Sequence, residues 1–530
     1  MAATYLIGLD FGTESARGVL VDSASGEVME SAVHPYRHGV MTRQLEDGTP
    51  LAFGWALQDA ADYVEAGAEI LGALGRGRVV ASIGLDFTAS SPLPVGGDGR
   101  PLSEALPGEP HAYVKLWKHR AAQPHAEAIS ARGGEFLRNF GGRVSGEWLL
   151  AKAAQLAEEA PTVWAATARF IEAGDWLVWQ LTGQETRSLG LAAYKAQYTP
   201  EAGYPRDVVP GLEGRLAPPR PVGSPAGSLS GAWRKRTGIE GPAAVPVAVI
   251  DSHALLPAIG AVKTGCLVGA LGTSAVYLVL AEAYRPLPAG IEGVARDGSI
   301  PGLWCYEAGQ ASFGDLLAWF ARAFPTSPDP AECFGQYNEA AAAIAPGSSR
   351  LLVLDWWNGN RVPHADSALS GLILGLTMDT TAPQIYRALM ESVCYGARSI
   401  VDRFVSGGFP IGRVLLASGL ALSNPVLDQM MADVLGRTVE VPELGQATAI
   451  GAAIHGAVAA GVVSSYAEGA ARYGARRIRT FSARPEHASA YESLYGEYAA
   501  LVDSAEVRRA MHRLNRLASG GAPGSRPGRS

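Results

Sequence analysis

Two short segments with the make-up of phosphate-binding turns lie in this 530-residue chain, each at the end of an apolar run. One is Asp10-Phe11-Gly12-Thr13, the other Leu271-Gly272-Thr273-Ser274. A glycine turn exposes backbone N–H groups to phosphate oxygens, and Thr or Ser hydroxyls add donors. Neither segment is a Walker A loop, because no G-x-x-x-x-G-K-[ST] occurs, and neither is a dinucleotide fingerprint. The first carries an acid, Asp10; the second has none at the equivalent place, near Ala270. An acid beside a phosphate repels it unless a divalent cation intervenes. Mg²⁺, held through one or two carboxylates, waters and phosphate oxygens, meets that need. Asp10 also reads as an aspartate that stabilises a turn. A third segment, Asp251-Ser252-His253, follows the apolar run 245–250 and opens a helical stretch. Asp251 reads as a helix N-cap, or as a carboxylate at a strand's C-terminal end, where α/β proteins place their chemistry. In phosphoryl transfer such a carboxylate orients the attacking hydroxyl and takes its proton. The three segments together favour that role.

These residues need elements to hold them. Apolar runs over 5–9, 18–21 and 28–33, parted by turns at 11–15 and 23–27, predict a meander. An amphipathic helix over 56–74 and a strand over 79–85 follow, the strand stopping at Asp86-Phe87-Thr88-Ala89-Ser90. Strand then helix recurs at 245–250 and 254–259, and such alternation argues α/β. The two Gly-Thr pairs stand 260 positions apart (12 to 272), each between two apolar runs. That echo reads as two related domains, each opening with a hairpin, against chance likeness of two turns. Further on, a strand over 414–417 meets Ser418-Gly419, and a helix starts near Asn424. Val426, Leu427, Met430, Met431, Val434 and Leu435 share one face of it. A strand over 438–441 and a helix over 447–460 complete this unit. The helix's Gly451, Ala452, Ala453 and Gly456 would let backbone approach a neighbouring element or a nucleotide. Past 508, arginines give way to Gly, Pro and Ser, which reads as a frayed helix and a flexible tail.

Composition narrows the class. With 48% apolar and 18% charged residues the chain is globular, and its length suits two to four domains. A net charge of −7 without a polybasic block gives no reason to expect nucleic acid or a membrane surface. The N-terminus lacks a basic n-region, and Asp10 interrupts its apolar run, so a first strand is expected rather than a signal peptide. The apolar stretch 266–280 is broken by Gly269, Gly272, Thr273 and Ser274 and cannot span a bilayer. Cys266, Cys305, Cys333 and Cys394 lie far apart without C-x-x-C spacing. Free thiols in a reducing cytosol follow.

Over 5–461 the chain resembles the FGGY carbohydrate kinases, and within them the ribulokinases. The likeness is carried by Gly8-Leu9-Asp10-Phe11-Gly12-Thr13, Asp86-Phe87-Thr88-Ala89, Trp117-Lys118-His119, Ser145-Gly146-Glu147-Trp148 and Tyr194-Lys195-Ala196. It continues through Asp251-Ser252-His253, Leu271-Gly272-Thr273-Ser274, Glu307-Ala308-Gly309-Gln310 and Leu354-Asp355-Trp356-Trp357-Asn358-Gly359-Asn360-Arg361. The resemblance implies two actin/hexokinase-type (ribonuclease H-like) α/β domains around a deep cleft. Residues 1–258 would hold sugar and the base, 259–507 would hold ATP, and 508–530 would be the tail. It implies that Asp251 is the base, that Asp10 places Mg²⁺, and that Thr13, Gly272 and Thr273 meet the phosphates. Ser418, Gly419 and Asn424 would lie along the adenosine. The sugar would contact Ala89 through its backbone, Lys195, Asp251, Glu307 and Gln310. Carboxylates and an ammonium suit a polyhydroxylated ligand through charge-assisted hydrogen bonds. Trp117, Trp356 and Trp357 read as core or cleft wall.

The implied reaction is ATP-dependent conversion of L-ribulose to L-ribulose 5-phosphate in arabinose catabolism, by a cytoplasmic homodimer. D-ribulose, xylulose or glycerol as acceptor is the nearest alternative. An actin-type ATPase chaperone would need a peptide-binding domain for which little chain remains. A non-catalytic sugar sensor is disfavoured by the presence of both Asp10 and Asp251. Two departures fall on the ATP side: Ser418 stands where the family commonly has Gly, and Ser423 where it has Lys.

Overall fold

In the computed structural model, which describes residues 3–518, the opening meander forms as three antiparallel strands: β1 (Thr4–Phe11), β2 (Ser15–Asp22) and β3 (Val28–Pro35). Helix α1 (Ala60–Gly75), capped by the Asp59 side chain on Ala61 N–H, crosses to β4 (Val79–Phe87), which lies parallel to β1. Helices α2 (Leu149–Glu159) and α3 (Leu189–Ala196) come later from the same half. Short strands β5 (Pro225–Ser228), β6 (Ala244–Pro246) and β7 (Val249–Ile250) complete a seven-stranded sheet of order β5-β6-β4-β1-β2-β3, with β7 also on β4. The run expected as one strand over 245–250 is therefore two. Ala244 pairs with Ser82 and Val249 with Asp86, so five steps on one side face four on the other. The extra residue breaks the ladder as a bulge does. Helix α4 (Asp251–Ala258) starts directly from β7.

The second sheet repeats this plan. Strands β8 (Cys266–Leu271) and β9 (Ala275–Ala281) form a hairpin, followed by β10 (Gly293–Arg296) and β11 (Trp304–Gln310). Then come β12 (Arg413–Ala417), β13 (Val439–Pro442) and β14 (Ile478–Phe481), giving the order β10-β11-β9-β8-β12-β13-β14. As in the first sheet, the hairpin's first strand has a parallel neighbour on its other side, here β12. The echo between the Gly-Thr turns is thus a repeat of topology. This is the α/β, actin/hexokinase-type plan expected.

Helix α5 (Pro425–Leu435) buries Leu427, Met430, Met431 and Val434. The small-residue helix α6 (Ala447–Ala459) lies against the first half, not against the second sheet's open edge. A Cβ added at Gly84 would fall 1.8 Å from the Ala452 carbonyl oxygen, and one at Gly451 would fall 1.8 Å from that of Ala254. Backbone meets backbone there, and only glycine permits it. A buried cluster including Leu6, Ala81, Leu255, Val268, Leu415 and Ile450 joins the halves, so the two sheets share apolar packing as well as each having its own. The four cysteines are free and buried. Among the described residues no helix is long and apolar enough to cross a membrane.

The expected tail begins inside a helix. Helix α7 (Ala505–Ala518) continues past Arg508, buries Met511 and brings His512 Nε2 to 2.9 Å from Asp366 Oδ2. The rest of that expectation, 519–530, lies outside the described residues.

Candidate active site

Three carboxylates meet at the C-terminal ends of neighbouring strands. Asp10 on β1 pairs in register with Asp86 on β4, so both side chains leave the same face of the sheet. Asp86 also faces Val249 on β7, two residues before Asp251. Asp10 Oδ2 accepts a hydrogen bond from Thr448 Oγ1 at 2.9 Å, and Arg17 Nη1 lies 3.7 Å away. Asp86 is fully buried, and no donor among the described residues reaches either of its oxygens. Burial and the charges of Asp10 and Asp251 push its carboxyl well above the usual range.

Asp251 is the first residue of α4, and its Oδ1 accepts from the next backbone N–H, Ser252, at 2.7 Å. The N-cap position belongs to Ile250, so Asp251 does not cap the helix as the simpler reading had it. Burial raises its pKa to about 7; the Ser252 hydrogen bond opposes the rise, and the Asp10 charge adds to it.

Beside Asp251, Lys195 of α3 and Glu307 of β11 reach across from opposite halves, with Nζ 3.3 Å from Oε1. His253, fully buried on α4, donates through Nε2 to Glu307 Oε2 at 2.9 Å and faces Ser299 Oγ through Nδ1 at 2.6 Å. Burial alone would raise the Glu307 carboxyl, but Lys195 and the His253 hydrogen bond outweigh it and hold the group below the usual range. Two residues along the same face of β11, Gly309 leaves room for Arg361 and Glu292; a Cβ there would lie 2.7 Å from Arg361 Cδ. Arg361 Nη2 in turn bridges to Glu147 Oε2 of the first half at 3.1 Å.

Gln310 is not brought to this cluster. It stands an odd number of residues from Glu307 and so leaves the opposite face of β11. Its amide is spent in the second half's core, donating to Asp355 Oδ2 at 2.7 Å and to the Val393 carbonyl at 3.0 Å, and accepting from Tyr277. Of the other expected sugar contacts, Ala89 is half-buried in the turn after β4.

The two Gly-Thr turns close alike. Gly12 N–H donates to the Ser15 carbonyl at 3.1 Å, and Gly272 N–H to that of Ser274 at 2.9 Å. No acceptor among the described residues takes the N–H of Thr13 or Thr273. Thr13 Oγ1 accepts from Trp117 Nε1 at 3.0 Å, which leaves its own hydroxyl proton to donate. On the second sheet, Ala270 pairs with Ala417, so the Ser418-Gly419 turn sits beside Gly272 and Thr273. Ser418 Oγ accepts from Ala421 N–H at 3.2 Å and caps a short helix, with Gly419 exposed. Asn424 is buried; its Oδ1 accepts from Leu427 N–H at 3.1 Å and its amide donates to Asn338. Its side chain is thus a cap of α5.

Known proteins identify the family. Residues 267–460 match the C-terminal domain of the FGGY family of carbohydrate kinases. The ribulokinase of Halalkalibacterium halodurans is 39% identical over 95% of this chain and 95% of its own length. That of Mycolicibacterium smegmatis is 38% identical over 95% and 94%. The chain belongs to the FGGY family of carbohydrate kinases. The crystal structure of a xylulose kinase from Rhodospirillum rubrum shares the fold, with a TM-score of 0.79 at 21% identity over 96% of this chain and 100% of that one.

For this FGGY kinase, sequence reasoning passed over Asp86, His253, Ser299, Thr448 and the Glu147–Arg361 bridge as site residues. Asp86, Glu147, His253 and Arg361 lie inside the segments that carry the family likeness, and register sets Asp86 beside Asp10. Ser299 and Thr448 carry no local signal, since only the fold brings them near. Whether Mg²⁺ fits is a question of donors. Among the described residues no group of three or more His, Cys, Asp or Glu side chains is arranged for a metal. Mg²⁺ asks for less: one or two carboxylates, with waters and phosphates filling the other positions. Asp10, with the unpartnered oxygens of Asp86 beside it, answers that requirement.

Proposed function

We propose that this chain transfers the γ-phosphoryl group of ATP to the 5-hydroxyl of L-ribulose. The observation that carries this reading is the Asp251–Lys195–Glu307 cluster, in a chain 38–39% identical to ribulokinases along nearly its whole length. In this reading residues 1–258 hold sugar and 259–507 hold ATP, with the transfer taking place in the cleft between.

Asp251 accepts the proton of the attacking hydroxyl, and a carboxyl poised near 7 suits a base working at neutral pH. Lys195 donates to the sugar, Glu307 accepts from it, and the Ala89 backbone adds a contact. The N–H groups of Thr13 and Thr273, with the Thr13 hydroxyl and the Gly272 turn, cradle the phosphates. Ser418, Gly419 and the Asn424 turn border the adenosine. Asp10, with Asp86, would hold Mg²⁺, which neutralises phosphate charge when bound. Closing the cleft excludes water, the competing acceptor. A cytoplasmic homodimer serving arabinose breakdown is the setting the family likeness supports.

A coupled ADP-release assay across L-ribulose, D-ribulose, D-xylulose, ribitol and glycerol tests the reading. L-ribulose should give the highest kcat/KM. A higher value for D-xylulose or glycerol would move the chain to another specificity within the family.

A further inference from the structure

The turn that presents Ala89 is held by a residue to which no chemistry has been given. Lys152, on α2, is fully buried, yet no carboxylate among the described residues lies within salt-bridge distance of its ammonium. It donates instead to three backbone carbonyls: Ser90 at 2.6 Å, Leu116 at 2.9 Å and Lys115 at 3.2 Å. An ammonium has three protons, so all are used on main chain. Burying one this way is expensive, and burial lowers its pKa. The two segments it ties both lead into the site. Ser90 follows Ala89, and Leu116 precedes Trp117, whose indole fixes Thr13 Oγ1.

The first of these turns is strained. Ser90 has φ of +68°, a left-handed conformation that a non-glycine residue adopts only under constraint. A second buried group completes the clamp. Glu172 Oε2 accepts from the Ser91 N–H at 2.7 Å, so a cation holds the carbonyl before the peptide link and a carboxylate holds the amide after it. A buried lysine serving only as core filler would not need three carbonyls drawn from two site-bearing turns.

We propose that Lys152 is a positioning residue for the sugar: it fixes the Ala89–Ser90 turn against the Leu116–Trp117 turn, so that the Ala89 backbone and the Trp117 wall stand ready before sugar arrives. The proposal rests on the sugar-kinase reading above. Misplacing a contact by about 1 Å costs up to about 100-fold in rate.

The test is Lys152→Met, which keeps an unbranched chain and removes all three donors. The KM for L-ribulose should rise by about ten-fold or more and that for ATP by clearly less, since the ATP loops of the second half are untouched and only Thr13, through Trp117, links the clamp to the phosphates. Unchanged sugar kinetics in a folded variant, or equal losses for sugar and ATP, would overturn the proposal. Should Lys152→Met not fold, amide exchange on the unaltered protein decides. Ser91 and Leu116 should already be protected without sugar and change little on its addition; exchange at the rate of an exposed loop there overturns the clamp. If the unaltered enzyme phosphorylates no pentulose, the functional reading fails by its own assay, and the exchange result still stands or falls separately.

Discussion

Replacing Asp251 with Asn separates the chemistry of that position from its structural part. Among the described residues the wild-type carboxylate accepts one hydrogen bond, from Ser252 N–H at 2.7 Å, and an Asn carbonyl can accept the same bond. What disappears is the negative charge and the site for the hydroxyl proton. General-base contributions run to about 10²–10⁴-fold, so kcat should fall by that order. Stability should move the other way. Raising a carboxyl from 3.8 to about 7 on folding corresponds to an upper figure of about 4 kcal/mol once the group is ionised. Between these pH values the folded state binds the proton that the unfolded state has lost, so wild-type stability falls as pH rises through this window. The cost is complete above about pH 7 and absent below about pH 4. Asp251→Asn escapes it, so its thermal midpoint should exceed that of wild type at pH 8 and approach it at pH 5. Coupled ADP release and thermal melts on the same purified variant supply both readings. A variant keeping more than about a tenth of wild-type kcat, below even the low end of a base effect, would remove Asp251 as the base. A midpoint that fell at pH 8 would refute the electrostatic argument.

Other outcomes follow from the same geometry. The kcat/KM for sugar should fall about ten-fold per pH below about 7 and level off above it, as Asp251 ionises, and this limb should vanish in Asp251→Asn; a flat profile in the wild type between pH 5 and 8 would count against the assignment. Lys195→Ala and Glu307→Ala should each lower sugar kcat/KM about 10- to 100-fold, the worth of one charge-assisted hydrogen bond, with ATP KM little changed. Steady-state kinetics with each substrate varied in turn will show whether the loss is confined to sugar. Ser423→Lys should lower the KM for ATP and leave that for sugar alone, since Ser423 is exposed and, among the described residues, its hydroxyl is engaged only with the Leu420 carbonyl. An ATP KM that is unchanged or higher removes that idea.

Where the chain's chemistry is local, it could be read from residue order alone. The meander, the two Gly-Thr hairpins and the strand ending at Asp86 all follow from short apolar runs and their turns. Asp10 and Asp251 stood out because each ends such a run. What escaped was set by tertiary register. Gln310 looked like a sugar contact because it lies near Glu307 in sequence, yet three steps along a strand turn a side chain to the opposite face. Asn424 reads as a nucleotide contact, and what the residue order does not show is that its side chain caps the helix beginning at Pro425, which leaves its turn to face the nucleotide. The small residues of 447–459 fitted either a nucleotide or a packed neighbour, and only the approach of Gly84 and Gly451 to facing backbone decides for the neighbour. The arginines past 508 suggested a tail, but Met511 on their helix has a core to enter.

The unequal lengths of the contacts around Glu307 show how a site can be rigid and still admit a ligand. The Ser299–His253 and His253–Glu307 contacts, at 2.6 and 2.9 Å, fix one carboxylate oxygen from behind with a buried imidazole. An imidazole protonated at Nε2 satisfies both, donating to the carboxylate and accepting from the serine hydroxyl. The Lys195–Glu307 contact, at 3.3 Å, is long for an ammonium and a carboxylate, whose bonds usually run about 2.7–2.9 Å. Like the His253 contact it spans the two halves, but Lys195 is partly exposed where His253 is fully buried. A sugar hydroxyl placed between them can accept from Lys195 and donate to Glu307, gaining two good bonds for the loss of one poor one. His253 keeps the carboxylate in place during that exchange, so its orientation need not be recovered when sugar binds.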